Sequence, residues 1–228
     1  GRAIRLSKGK AIGSIVIPVF IEDHEDPDEV LNSSPFKKVW AVINALRSHD
    51  EGLGEELNQL RQSMGKRGTV GRSDKIIIDL PTTVTHQFET ALKTKIIESA
   101  TASWEFWFGL LEVYKQQSYD CLVAFQYKTL EGHNLGKWVD KQRQRKEQLS
   151  QEKIKRLENL GFVWDVLEYQ WEEGFKSLIA YQKEFGDCLV RDKSQYQGYS
   201  LGTWVSKQRS RKEQLSQEKI KRLENLGF

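Results

Sequence analysis

The sequence predicts a mainly α protein: a mixed segment of short apolar stretches and helices over residues 1–101, then two tandem three-helix modules over 102–164 and 165–228. Three observations lead there. The string RKEQLSQEKIKRLENLGF occurs twice, at 145–162 and 211–228. Upstream of each copy, apolar residues recur at intervals of three and four, the period of one helix face. Both copies also carry the same helix start and stop signals, a serine before the last helix and a glycine after it.

The repeat is longer than its identical core. Trp104, Phe108, Leu111, Tyr114, Cys121 and Val123 match Trp171, Phe175, Leu178, Tyr181, Cys188 and Val190 at an offset of 67. From Gly132 against Gly198 onward the offset is 66, so the second copy lacks one residue between Val190 and Gly198. A one-residue deletion marks a loop.

Each module begins with an amphipathic helix built on Trp104, Phe108, Leu111 and Tyr114, or on their duplicates. The stretch SYDCLVAFQYKTLEGH has no helical period and is rich in aromatic and β-branched residues, which predicts an ordered, extended connection ending at glycine. A second helix runs from about 134 to 146, with Leu135, Trp138, Val139 and Gln142 on its inner side. Ser150 then has the chemistry of an N-cap, with Glu152 in the first turn where the helix dipole favours an acid. Ile154, Leu157 and Leu160 form the stripe of a third helix, Gly161 suits the left-handed position after its end, and Phe162 can fold back on the last turn.

A module of about sixty residues buries only about 60% of its unfolded surface. Large aromatics offset this, and Trp104, Trp138, Trp164, Trp171 and Trp204 lie in apolar stripes, where a core role is favoured over base stacking. Cys121 and Cys188 fall at equivalent places and read as small buried side chains, not as a bridge between modules. His24, His49, His86 and His133 have no metal-ligand spacing, so no metal is expected. No apolar run approaches the roughly 18 residues of a membrane span and no signal peptide opens the chain, which predicts a soluble, cytoplasmic protein without a membrane partner.

Net charge over the whole chain is only +3, yet the second helix of each module is strongly basic. Lys137, Lys141, Arg143, Arg145 and Lys146 stand against Asp140, five cations against one acid, a local excess of +4. Lys207, Arg209, Arg211 and Lys212 give the same +4 with no acid from 199 to 212. Clustered lysine and arginine on an exposed helix suits phosphate backbones, because each neutralised phosphate releases condensed counterions; an ordinary solvated helix face has the same composition. Gln142 and Gln208 could read base edges, but their angular position favours a buried hydrogen-bonding role.

With an initial tryptophan helix, an extended segment, LGKWVDKQR and LENLGFVW, residues 102–228 resemble the helicase-associated domain, a small helical module found in tandem after bacterial helicase cores. The resemblance implies nucleic-acid contact through Lys141, Gln142 and Arg143 and through Lys207, Gln208 and Arg209. About three cations per module would give a salt slope near ~−2.7 for each. DNA is the expected polymer. A different class remains open, in which the modules are protein-interaction units recruiting a partner to a helicase or restriction complex. In that case Asp165, Glu168, Glu172 and Glu173 could pair one module with the other.

The opening GRAIR resembles motif VI of superfamily 2 helicases, which implies that residues 1–101 end the second RecA-like α/β lobe. By that resemblance Arg5 is an arginine finger at the ATP γ-phosphate and Arg2 its partner, a device worth ~10³ to 10⁵ in rate. ATP and Mg²⁺ are then cofactors of a parent chain with upstream helicase lobes. The sequence is expected to be a piece of that parent without ATPase activity of its own. GSIVIPVFI and KIIIDLP read as short strands, SPFKKVWAVINALRSHDEGL as one amphipathic helix, and THQFETALKTKIIESATAS as a helix leading into the first module. MGKRGTVGRSDK is glycine-rich and basic but lacks the GK[ST] ending of a phosphate-binding loop, and reads as a mobile loop.

Overall fold

The computed structural model describes residues 15–19, 27–82, 84–101 and 103–228, so Arg2 and Arg5 lie outside the described residues. The described part is helical: α1 (Pro27–Asn32), α2 (Ser34–His49), α3 (Glu51–Arg67), α4 (His86–Ala100), α5 (Ser103–Ser118), α6 (Leu135–Gln144), α7 (Gln151–Asn159), α8 (Val166–Phe185), α9 (Leu201–Ser210) and α10 (Gln217–Glu224). The described residues up to Gln142 form one compact unit, and Arg143–Phe228 form a second.

In the first unit, Val30, Leu31, Phe36, Val39, Ile43, Leu57, Leu60, Phe88, Leu92, Ile96 and Ile97 form one buried cluster. Helix α2 contributes Phe36, Val39 and Ile43 to it, and helix α4 contributes Phe88, Leu92, Ile96 and Ile97. The single helix expected from Ser34 onward is instead two. Asp50, in extended conformation, ends α2 and accepts a hydrogen bond from the Leu53 N–H, so it caps α3. A polar side chain between two helical runs competes for backbone groups and resets the chain direction. Helix α3 then runs through the start of the glycine-rich stretch and stops at Gly68, whose φ of 70° is left-handed. The loop beyond is tied down: Glu56 accepts from the Ser73 hydroxyl and from the Asp74 N–H at 2.9 Å.

Neither predicted strand forms among the described residues. Residues 15–19 and 76–81 lie in neither helix nor strand. Ile17, Val19, Ile76, Ile78 and Leu80 lean on the helical core while Val16 and Ile77 are 84% and 88% exposed. The period of two is real, but a strand is defined by a hydrogen-bonded neighbour, and no described segment supplies one.

Helix α5 meets α3 through two glycines. A Cβ on Gly109 would lie 2.2 Å from the Gln62 carbonyl oxygen, and one on Gly65 would lie 2.0 Å from that of Phe106. The backbones touch where any side chain would separate them. Around this crossing Arg61 sits over the Phe106 ring at 5.3 Å and pairs with Glu98 at 3.0 Å, and Lys66 pairs with Glu112 at 3.0 Å. In α8 the positions matching Phe106 and Gly109 are Glu173 and Lys176, which pair with each other at 2.7 Å. The same helix face is thus a packing surface in one repeat and a solvated ion pair in the other.

The second repeat lies wholly within the second unit. Trp171, Phe175, Leu178, Cys188, Val190, Leu201, Trp204, Val205 and Leu223 form its core. Trp171 stacks on Phe175 with centroids 5.0 Å apart, and Trp104 stacks on Phe108 at the same distance in the first repeat. Trp204 lies over Gly174, where a Cβ would come within 2.1 Å of the indole nitrogen. The first repeat has Trp107 at that position, stacked on Trp138. The missing residue of the second repeat falls at a tight hairpin: Tyr196 and Tyr199 exchange two backbone hydrogen bonds around Gln197 and Gly198, both with positive φ, the signature of a two-residue turn. Both cysteines are buried and form no disulfide, and burial pushes the Cys188 thiol up.

Candidate nucleic-acid interface

The basic helices are set in place by their buried side. Leu201, Gly202, Trp204, Val205 and Gln208 of α9 are buried, as are Leu135, Gly136, Val139 and Gln142 of α6. The two glutamines are core residues. The Trp171 indole N–H donates to Gln208 Oε1 at 3.1 Å and Gln208 Nε2 donates to the Trp204 carbonyl at 3.2 Å. Gln142 repeats the pattern, accepting from Trp104 Nε1 at 3.0 Å and donating to the Trp138 carbonyl at 3.3 Å. Each glutamine satisfies a buried indole N–H, so neither is presented to a base edge.

The same register turns Lys141 and Lys207 outward. Lys137, Lys141, Arg145, Lys207 and Arg211 are all exposed. None of these five has a carboxylate within ion-pairing distance among the described residues. The remaining predicted cations behave differently. Arg143 is half-buried, donates from Nε to the Val163 carbonyl at 2.9 Å and lies 5.3 Å from the Phe162 ring centre. Arg209 donates to the Cys188 carbonyl at 3.1 Å and lies 5.2 Å from the Phe228 ring. Arg143 thus holds the chain after the third helix of its repeat, while Arg209 holds the connection at Cys188 and covers the Phe228 ring, so each guanidinium group has a local task. Lys146 lies 4.6 Å above Trp164 and 3.9 Å from Glu158, and Lys212 pairs with Glu224 at 3.0 Å.

Helices α7 and α10 start as their sequence requires, with Ser150 and Ser216 accepting from the N–H groups of Lys153 and Lys219. At the other end Gly161 has φ 84°, and the Phe162 N–H returns to the Leu157 carbonyl at 3.0 Å. A cluster that sequence reasoning missed joins α8 to α10. Arg222 grips both oxygens of Glu172 and lies 4.7 Å from the Trp171 ring and 4.4 Å from the Phe175 ring. Its hydrogen bonds hold the Glu172 carboxyl below the usual range and raise the guanidinium in turn. Lys219 lies 4.8 Å from Trp171 and pairs with Glu168 at 2.5 Å. The spacing of Lys219 and Arg222 places them on the inner edge of α10, a signal that charge counting along the chain hides. Asp165 caps α8 by accepting from the Glu168 N–H at 2.8 Å. All four acids considered for pairing one module with the other are therefore engaged within the second repeat.

Among the described residues no group of three or more His, Cys, Asp and Glu side chains converges as metal ligands, and no helix is long and apolar enough to cross a membrane. The family model of the helicase associated domain matches residues 101–165 and again residues 168–228. Neither the curated proteins nor the solved structures give a match. Two tandem matches cover more than half of the sequence, and the chain belongs to the helicase-associated domain family.

Proposed function

We propose that the two repeats bind nucleic acid, DNA in particular, through its phosphate backbone, as the nucleic-acid-holding part of an ATP-dependent helicase-like protein of superfamily 2. The observation that carries this reading is the set of exposed cations on and just after α6 and α9, with Lys137, Lys141, Arg145, Lys207 and Arg211 free of acidic partners among the described residues. A cation already paired with a carboxylate releases little on meeting a phosphate, whereas an unpaired one displaces condensed counterions from the polymer. In such a parent protein Arg2 and Arg5 would serve the ATP phosphates, and Mg²⁺ would come with the nucleotide. The protein-recruitment alternative gains nothing from the acids at 165–173, since intramolecular cations and backbone groups already occupy them.

The test is a fluorescence-anisotropy titration of the intact chain with a labelled oligonucleotide. A Lys141→Glu, Lys207→Glu, Arg211→Glu variant should lose at least about tenfold in affinity, since each reversal removes one phosphate contact and adds repulsion. Its unfolding midpoint should stay near that of the parent, because all three side chains are exposed. Unchanged binding would refute the proposal. Arg143 and Arg209 are poor choices here: reversing them would disturb the backbone carbonyls they hold, at Val163 and Cys188, and confound binding with folding.

A further inference from the structure

The two repeats share a turn that leans on the start of the basic helix, yet they present different side chains at its tip. In the first repeat the Tyr127 N–H bonds back to the Ala124 carbonyl at 2.9 Å, leaving Phe125 and Gln126 at the corners. The Gly136 N–H then donates to the Tyr127 carbonyl at 3.1 Å and fastens the turn to α6. The approach is so close that a Cβ on Gly136 would lie 2.1 Å from the Ala124 carbonyl oxygen and 2.4 Å from that of Phe125. The second repeat builds the same fastening: the Ser194 N–H bonds to the Arg191 carbonyl, the Gly202 N–H to the Ser194 carbonyl, and a Cβ on Gly202 would meet the Arg191 carbonyl oxygen at 2.2 Å. At the corners of this second turn stand Asp192 and Lys193.

Phe125 is 56% exposed and makes no ring contact among the described residues. A phenyl ring at a solvated turn corner adds nothing to the core, whereas the matching residue of the other repeat is an acid. Its backbone lies against Gly136, whose neighbour in the chain is the exposed Lys137, with Lys141 one helical turn further on. An exposed aromatic residue on a turn fastened to a helix that carries unpaired cations suits single strands, whose bases can stack on a ring while the phosphates meet the cations. A duplex offers its phosphates but keeps its bases stacked.

From this juxtaposition we infer that Phe125 is a base-stacking residue and that the first repeat takes unpaired nucleotides, while the second, with Asp192 at the same corner, contacts backbone alone. The inference rests on the proposed nucleic-acid function and names the form of polymer the first repeat selects. The turn is fixed to the helix by backbone hydrogen bonds, so the backbone that carries the ring is in place before any strand arrives and needs no ordering on binding.

The experiment compares the intact chain with Phe125→Ala and Phe125→Trp, titrated against a labelled oligo-dT strand of about 20 nucleotides, which exceeds one binding site, and against a duplex of the same length. Phe125→Ala should weaken single-strand binding by about tenfold or more, leave duplex binding unchanged and leave the unfolding midpoint unchanged. Phe125→Trp should restore or exceed parental affinity, because the larger ring offers more stacking area. Equal loss for strand and duplex, or no loss for either, overturns the stacking role. If Phe125→Ala has no effect while the Lys141, Lys207 and Arg211 reversals still abolish binding, the polyanion reading stands and the stacking inference alone fails. A chain that binds neither oligonucleotide removes both.

Discussion

Replacing Gln208 with methionine separates a core glutamine from a base-reading one. The substitution keeps length and approximate volume while deleting both polar atoms of the amide. Two hydrogen bonds disappear, the one from Trp171 Nε1 at 3.1 Å and the one to the Trp204 carbonyl at 3.2 Å. At about 1 kcal/mol each they account for about 2 kcal/mol, and the indole N–H, left buried without a partner, raises the cost to about 2–4 kcal/mol. For a unit of this size each kcal/mol moves the midpoint by about 4–8 °C. Urea unfolding followed by tryptophan fluorescence, backed by thermal melting, reads the effect directly, since Trp171 and Trp204 flank the site. A loss below about 0.5 kcal/mol would show that the glutamine is not holding the indole. A loss of DNA affinity with stability intact would mean that it reads bases, against the geometry described.

Two further predictions concern packing and pH. Gly109→Ala ought to gain about 1 kcal/mol from helix propensity, but the Gln62 carbonyl oxygen stands 2.2 Å from the new Cβ. Net destabilisation of α3–α5 packing is therefore expected in chemical unfolding, and a stabilised variant would contradict the close approach. At the Glu172–Arg222 pair, the Arg222 hydrogen bonds hold the Glu172 carboxyl below its ordinary value of 4.5, so the pair's contribution is present above that value and is lost as pH falls through the lowered one. Both side chains are 32% exposed, which limits the contribution to about 1 kcal/mol. Glu172→Gln should thus be less stable than the parent at pH 7 and lose less on acidification; parallel stability curves from neutral to acid pH would rule the pair out.

Much of the repeat architecture was readable because several signals agree within it. Ser150 and Ser216 cap as their position demands, Gly161 and Gly227 take the left-handed conformation, and Trp, Leu and Gln residues at helical spacing turn inward together. The segment before residue 101 was less readable for the opposite reason. IVIPV and KIII carry alternation suited to a strand, but pairing depends on a neighbour that local sequence does not name. Helix α3 was hidden by three glycines and a polar composition, and Gly65 makes sense only when the Phe106 carbonyl is seen against it. At the candidate interface the sequence located the basic helices but could not sort their cations. Arg143 and Lys141 are two residues apart, yet one holds a backbone carbonyl and the other stands in solvent, a difference set by the chain end that folds back beside the helix. Phe125 and Arg222 were missed because their roles come from neighbours distant in sequence.

The central claim is that unpaired lysine and arginine side chains of the two repeats grip a polyanion, and the salt dependence of DNA binding tests it most directly. With Lys137, Lys141, Arg145, Lys207 and Arg211 each neutralising one phosphate of a duplex, a log–log plot of affinity against salt should have a slope of about −4.5. Changing Lys207 and Arg211 to alanine should make it shallower by about 1.8. A slope near zero, or one that does not change when those two cations are removed, would contradict the account.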